Sequence, residues 1–278
     1  MIRANFHVHS SFCHGKCEPE EYVIEAIVRG LSSLGFSSHA PLPYYSKWAI
    51  KHDKFQEYCA TILGLRSKYK GKINIFLGLE VDYCDELDNA FYFDIKRAGI
   101  DYTIGSVHFL KVDKLGTFRV INDKDDYKLI LAELFYGDIQ KFVSAYYQSI
   151  RNMVQRFKPT IIGHLDLIKK NSKDNRHFSE TLDWYRREVL DTLHVIKNND
   201  SILEVNTKGM FDTNEFYPSK WILNEAKKLD IPVMINSDAH LLESIDSFYD
   251  LAFSVLREAG YSKQKILMDQ QWENINLK

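Results

Sequence analysis

With 278 residues, 45% of them hydrophobic, the chain can bury a full core, and α/β barrels of this length are commonly one domain, so a single domain over 1–278 is expected. A formal charge of −2 without any block of like charges gives no sign of a nucleic-acid groove or an anionic membrane surface as partner. The amino terminus MIRANFHVHSSF has no continuous apolar run, no membrane span is legible, and the four cysteines Cys13, Cys17, Cys59 and Cys84 are too few for a disulfide framework, so a soluble cytoplasmic protein is expected.

Along the chain, short runs rich in Val, Ile and Phe alternate with longer segments of helical periodicity, the pattern of parallel strands joined by helices. Strands are expected over 4–9, 34–38, 73–81, 102–107, 160–163, 201–206 and 232–236. Helices are expected over 20–34, 53–69, 86–97, 138–157, 179–197, 219–229 and 244–259, with Pro19 and Pro218 near two of their starts. Seven strands in this order suggest a barrel. The stretch over about 110–137 is too long for a simple connection and reads as an insertion with a short helix over 125–134, placed to cover or line a site.

The histidines and acids fall at one place on this map. Side chains alternate along a strand, so His7 and His9 in NFHVHS point to the same side and can serve one metal or two adjacent ones. Asp238-x-His240 in NSDAH repeats the logic near the other end of the chain. Between them His39 sits in FSSHA, Glu80 in FLGLEVD, His108 in YTIGSVHF and His164 in IIGHLDL, each at or near the carboxyl end of an expected strand. In a parallel β/α barrel those ends gather on one face, where active sites are built. His14 follows the first strand closely enough to share the site. Cys13-x3-Cys17 around it has the spacing of half a zinc site, but no second cysteine pair completes one. His52, His177 and His194 lie away from strand ends and read as ordinary surface or partial-core residues.

The segments HVHS with His14, SSHAP, GLEVD, GSVHF, GHLDLI, EVNTKG and NSDAH, in this order over nearly the whole chain, resemble the polymerase-and-histidinol-phosphatase (PHP) superfamily. The combination of SSHAP, GSVHF, GHLDL and EVNTKG followed by YPS is most similar to its histidinol-phosphate phosphatases. The resemblance implies a distorted (β/α)7 TIM-like barrel, a trinuclear metal centre at the C-terminal face of the strands, and hydrolysis of L-histidinol phosphate in histidine biosynthesis. Its nine ligand positions carry over to His7, His9, His14, His39, Glu80, His108, His164, Asp238 and His240, all competent metal ligands.

Elementary chemistry agrees. Seven imidazoles and two carboxylates favour Zn, Fe or Mn over Ca or Mg. Three divalent cations against two carboxylates leave a charge of about +4, which calls for an anion. A phosphate monoester answers that need, and its hydrolysis demands acceleration of up to about 10²¹-fold. Metals acidify water and neutralise phosphoryl oxygens, so no Ser or Cys nucleophile is required. Asp238 or His240 is expected to serve proton delivery to the leaving alkoxide. Lys169, Lys208 and, in the insertion, Arg119 are the candidates for phosphate oxygens, and Asn206 either shapes the floor of the site or caps a turn. Phe12, Tyr44, Phe109 and Phe211 are candidates to stack on a substrate ring. Two alternatives stand beside this reading: another PHP phosphoesterase, acting on phosphotyrosine or nucleotide phosphates, and a non-catalytic module that kept the barrel.

Overall fold

The computed structural model describes residues 2–42, 46–83, 95, 98–111 and 118–277. Eleven strands occur among them: β1 Ala4–Asn5, β2 Ser33–Phe36, β3 Asn74–Asp82, β4 Tyr102–Ser106, β5 Phe109–Lys111, β6 Phe118–Val120, β7 Ile161–Ile162, β8 Ile202–Asn206, β9 Val233–Asn236, β10 Lys263–Met268 and β11 Gln271–Asn276. Seven form one sheet in the order β1-β2-β3-β4-β7-β8-β9, with every neighbour parallel. The sheet nearly closes on itself. Beyond β1, Val8 bridges Ala239 in parallel, with His9 N–H donating to Ala239 O at 2.9 Å and Ala239 N–H to His7 O at 3.0 Å. Where ladder bonds lapse, side chains stitch the seam: Asn236 Oδ1 accepts from Phe6 N at 2.8 Å, and Asn5 Nδ2 donates to Ser237 Oγ at 2.7 Å. The expected seven-stranded barrel is what the chain forms.

Its strands are buried on both faces, as parallel strands under a jacket of helices must be. Inside the N-terminal half, Tyr102 fills the lumen and donates its hydroxyl to Phe6 O at 2.7 Å and Phe36 O at 3.1 Å. Gly35 and Gly78 make room for that ring, since a Cβ on either would stand 2.3 or 2.2 Å from it. The β10–β11 hairpin then closes this end, packing Ile266, Leu267 and Trp272 against Phe6, Phe76 and Tyr102. The opposite, C-terminal end stays open.

Helix limits depart from the sequence reading for local reasons. The helix expected over 20–34 runs only over Pro19–Val28, because Gly30 takes φ +72° and the amides of Gly30 and Leu31 bond back to Ile27 O and Ala26 O. The helix Ile139–Phe157 starts where Asp138 caps it by accepting from Lys141 N at 3.0 Å. The last expected helix starts late, at Tyr249, after Phe248 in a left-handed conformation. The others are Phe55–Lys68, Asp183–Asn198 and Lys220–Lys228, close to their expected spans. The helix expected over 86–97 lies outside the described residues except for Ile95. In the insertion β5 and β6 pair antiparallel, and Asp123 caps a helix Lys124–Leu129 that continues as a π turn through Leu134.

Candidate metal centre

The strand ends bring the expected ligands together. His7 and His9 leave β1, His39 follows β2, Glu80 rides near the end of β3, His108 and His164 follow β4 and β7, and Asp238 and His240 follow β9. His14 swings in from the loop after β1 and places its Nε2 2.6 Å from His240 Nε2. Glu80 is the hub. Its Oε2 lies 3.3 Å from His7 Nε2, 3.4 Å from His9 Nε2 and 3.4 Å from His39 Nδ1, while its Oε1 lies 3.0 Å from His164 Nε2 and 3.7 Å from His108 Nε2. Asp238 Oδ1 stands 3.2 Å from His9 Nε2 and 3.7 Å from His7 Nε2.

These atoms suit cations better than they suit one another. His7 Nε2, His9 Nε2 and His39 Nδ1 are buried and make no hydrogen bond with any described residue, although all three surround one carboxylate oxygen. Two ligands about 2.1 Å from a tetrahedral ion stand about 3.4 Å apart, which is the spacing seen here. The His14–His240 pair makes the same point. His240 Nδ1 donates to Asp238 O at 2.9 Å and His14 Nδ1 to Trp48 O at 3.3 Å, so both Nε2 atoms present lone pairs to each other. Only a cation or a proton between them relieves that contact. Among the described residues, four trios of ligand atoms meet the spacing for an ion: His7–His9–Glu80, His9–His14–His39, His9–Asp238–His240 and His39–Glu80–His108. Neither Cys13 nor Cys17 belongs to one. Instead the Cys13 thiol lies 3.5 Å from His9 Nδ1, behind the ring.

The far nitrogens of other rings are held by acids the sequence reading passed over. His7 Nδ1 donates to Glu204 Oε1 at 2.7 Å, and His108 Nδ1 donates to Asp82 Oδ1. Each carboxylate fixes the tautomer that leaves Nε2 bare, and raises the basicity of the ring. Glu204 also accepts from His164 N at 2.8 Å and from the Asn206 and Asn236 amides, both at 3.0 Å. A signal for both acids was available. Asp82 is two residues from Glu80, and Glu204 two from Asn206, so the strand period puts each on the same face as a residue already singled out.

Charge follows this layout. Burial pushes the Glu80 carboxyl up, but His39, His7 and His108 outweigh it and hold the group well below the usual range. Asp238 is held well below by Lys208, His7, His9 and His240, again against burial. Asp82, against burial, is brought to about 2 by His108 and His39.

Above the centre lies a cavity of about 420 Å³, whose wall includes Trp48, Asn122, Lys170, Lys208, Asp212 and Tyr217. Of the three basic candidates, Lys208 reaches it, with Nζ 3.4 Å from Asp238 Oδ1 and 3.3 Å from His240 Nδ1. Lys169 does not. Its segment, Leu167–Asn175, is a 3₁₀ helix in which residues three apart share a face, so Lys169 turns back onto Asp166 at 2.9 Å while Lys170 faces the cavity. Arg119 is not among the cavity-lining residues either: on β6 it alternates with the cavity-lining Val120, and its guanidinium sits 3.4 Å from both Asp126 and Glu133. Asn206 does both things expected of it as alternatives, accepting from Lys208 N at 3.0 Å and donating to Asp238 Oδ2 at 3.3 Å.

The described aromatic candidates are not among the residues that line the cavity. Phe109 is core, Phe12 packs edge-on against Tyr58, and Phe211 is exposed beside Phe248. Tyr44 lies outside the described residues. Among the described residues, Trp48 and Tyr217 are aromatic rings of the wall. His52 bonds Leu42 O at 2.8 Å, and His177 packs on Tyr127, neither among the cavity residues.

The family model of the PHP domain matches residues 5–208, nearly three quarters of the chain and the span that carries seven of the nine expected ligands. The chain belongs to the PHP domain family. It is 30% identical to a histidinol-phosphatase of Bacillus subtilis over 269 residues, covering 90% of this chain and 98% of that one. The crystal structure of hisK from Listeria monocytogenes superposes with a TM-score of 0.79 at 27% identity, over 90% of this chain and 99% of that one. A histidinol phosphate phosphatase from Lactococcus lactis, crystallised with zinc, L-histidinol and phosphate, shares the fold with a TM-score of 0.73 at 21% identity, over 98% of both chains. In this member of the family, the residues that could hold a metal ion gather at the barrel end where the PHP motifs of its sequence fall.

Proposed function

We propose that the protein is a metal-dependent histidinol-phosphatase, which cleaves L-histidinol phosphate to L-histidinol and inorganic phosphate. The observation that carries this is the floor of the cavity, where imidazole lone pairs converge on Glu80 and Asp238 without bonding one another, in a chain aligned along its length with histidinol-phosphatases.

Three divalent ions of the Zn, Fe or Mn class fit the donor set. His7, His9, Glu80 and Asp238 would hold one. His39, His108 and His164 would hold a second together with Glu80. The His14–His240 pair would hold the third. Bound cations of this kind bring the pKa of water toward about 7 and neutralise phosphoryl oxygens.

The chain's own residues do the rest. Lys208 places an ammonium beside Asp238 and His240 on the cavity wall, where it meets a non-bridging phosphate oxygen. Asp238 is held as the anion, and His240 is taken down to about 3 by burial, with Asp238 opposing and Lys208 and His14 adding to the fall, so in the metal-free chain Asp238 is ionised and His240 is the neutral imidazole at neutral pH, and neither has an acidic proton to give. Their part in leaving-group protonation is therefore to orient water and to relay a proton, with Lys208 the adjacent donor. Trp48 and Tyr217 offer flat apolar surface to the imidazole of the substrate, and Asp123, Asp126 and Asp212 face its ammonium. The chain acts as one domain with the 110–137 insertion as a wall of the site, on a small molecule, in the cytoplasm; no helix among the described residues is long and apolar enough to cross a membrane.

The test is phosphate release by metal-loaded enzyme from L-histidinol phosphate, phosphotyrosine and p-nitrophenyl phosphate, with and without chelator. Strong preference for the first and loss with chelator are expected. Equal use of all three would place the protein with another PHP phosphoesterase activity, and chelator-insensitive turnover would remove the metal centre from the mechanism.

A further inference from the structure

One buried cation lies outside the metal centre and plays no part in the chemistry above. Lys169 is 5% exposed, yet its Nζ is ringed by Asp166 at 2.9 Å, Glu215 at 3.1 Å, Glu180 at 3.6 Å and the Phe216 carbonyl at 3.2 Å, and it lies 5.6 Å from the Tyr217 ring centroid. These partners belong to separate segments. Asp166 precedes the 3₁₀ helix after β7, and Glu215 to Tyr217 lie in the loop after β8. The two segments meet along a polar seam, where Asp166 also accepts from Ser219 N at 3.0 Å and Lys170 pairs with Asp212 at 3.2 Å.

Both segments face the cavity: Leu167 and Lys170 from the first, Asp212 and Tyr217 from the second. Within the loop after β8, Gly209–Asp212 forms one helical turn and Tyr217 is bridged to Asn206 by backbone hydrogen bonds of 2.7 and 3.1 Å, so the loop is anchored to its own strand and its place against the segment after β7 depends on such side-chain ties. A single ammonium between three carboxylates is a tie that fails as a unit, because its removal leaves the buried Asp166 and the partly exposed Glu180 and Glu215 as like charges facing one another.

We propose that Lys169 is a positioning residue, whose buried ammonium clamps the β8 loop to the segment after β7 and so sets the Tyr217–Asp212–Lys170 wall against which the substrate's organic end is held. The kinetic part rests on the histidinol-phosphatase reading; the structural part does not. Removing the clamp loosens the wall and leaves the metal ligands, on strand ends across the cavity floor, in place. The signature is a split: binding weakens while turnover of bound substrate persists.

The experiment compares Lys169→Met, Lys169→Arg and Glu215→Gln with the wild type, all metal-loaded, by steady-state kinetics, metal content and hydrogen–deuterium exchange without substrate. For Lys169→Met, KM for L-histidinol phosphate is expected to rise about tenfold with kcat within about twofold. Metal content should be unchanged, and amides over 209–219 should exchange faster. Lys169→Arg restores most of the KM. Glu215→Gln removes one tie from a half-exposed side chain, so it keeps the fold even if Lys169→Met does not, and it should raise KM about threefold with faster exchange over the same amides. Unchanged KM and exchange in Glu215→Gln and in any folded Lys169→Met would overturn the clamp, as would a joint fall of kcat and metal content. A wild type that ignores L-histidinol phosphate would sink the substrate reading alone, since exchange over 209–219 still reads the clamp.

Discussion

The two sides of the metal centre are built differently. On the strand side, His7 and His108 rest on carboxylates, Glu204 and Asp82, which are themselves buried in β8 and β3. On the mouth side, His14 and His240 rest on backbone carbonyls of Trp48 and Asp238 in loops. Charge divides the same way. Although burial pulls both down, Glu204, Asp238 and Glu80 lift His7 well above its ordinary value, and Asp82 and Glu80 lift His108. Burial lowers His14 and His240 with no carboxylate behind the ring to compensate fully. A ring backed by a carboxylate is the more basic ligand and is fixed in one orientation; a ring backed by a carbonyl is fixed but not strengthened. On the proposed reading, the strand side would hold an ion more tightly and the mouth side would share one with solvent and substrate.

The largest effect should come from the hub that serves both sides. Glu80→Gln removes the charge around which five imidazoles are arranged, and His9→Ala or Asp238→Asn removes a ligand beside it. Each is expected to lower kcat by more than about a thousandfold with the fold retained by circular dichroism. Near-full activity in any of them would mean that the ligands are misassigned. Next comes the strand side itself. Glu204→Gln keeps the shape and loses the charge, and should cost about 10–100-fold in affinity for the tightest ion, measured by competition with a chromophoric chelator. On the mouth side, His14→Asn should release one ion, leave the other two bound at wild-type affinity, and lower kcat by a smaller factor than Glu80→Gln. If Glu204→Gln and His14→Asn release the same ion, the two-sided description fails.

How much of this was legible depended on whether a residue's role lay in its own strand or in a neighbour's. His7, His9, Glu80 and Asp238 could be placed because strand period and strand end are local facts, and the barrel does the gathering. Glu204 and Asp82 carry the same local signal, but what they do, backing an imidazole from an adjacent strand or one beyond, depends on strand order, which periodicity does not encode. Lys169 shows the limit most clearly. Its position after a strand end suggested a phosphate ligand, and the 3₁₀ turn, invisible in composition, sends it into a seam and puts Lys170 on the cavity instead. The β10–β11 hairpin was missed because KQKILM and QWENIN alternate weakly, and their turn at Asp269 and Gln270 uses left-handed residues without glycine.

The smallest predicted effect tests the intermediate case between the two sides. His9 is a strand-side ring whose far nitrogen meets neither a carboxylate nor a carbonyl but the Cys13 thiol, at 3.5 Å, which in turn lies 3.4 Å from Ser10 O. Sulfur is a weak acceptor, so it orients the ring while adding little to its basicity. Cys13→Ala should therefore cost less than Glu204→Gln, about threefold in metal affinity against the ~10–100-fold expected where a carboxylate is lost. Cys13→Ser, with a stronger but shorter-reaching acceptor, should fall between the wild type and Cys13→Ala. If Cys13→Ala matched Glu204→Gln in the same chelator competition, orientation alone would account for both. The distinction between a ring that is fixed and one that is also strengthened would then have no energetic content in this protein.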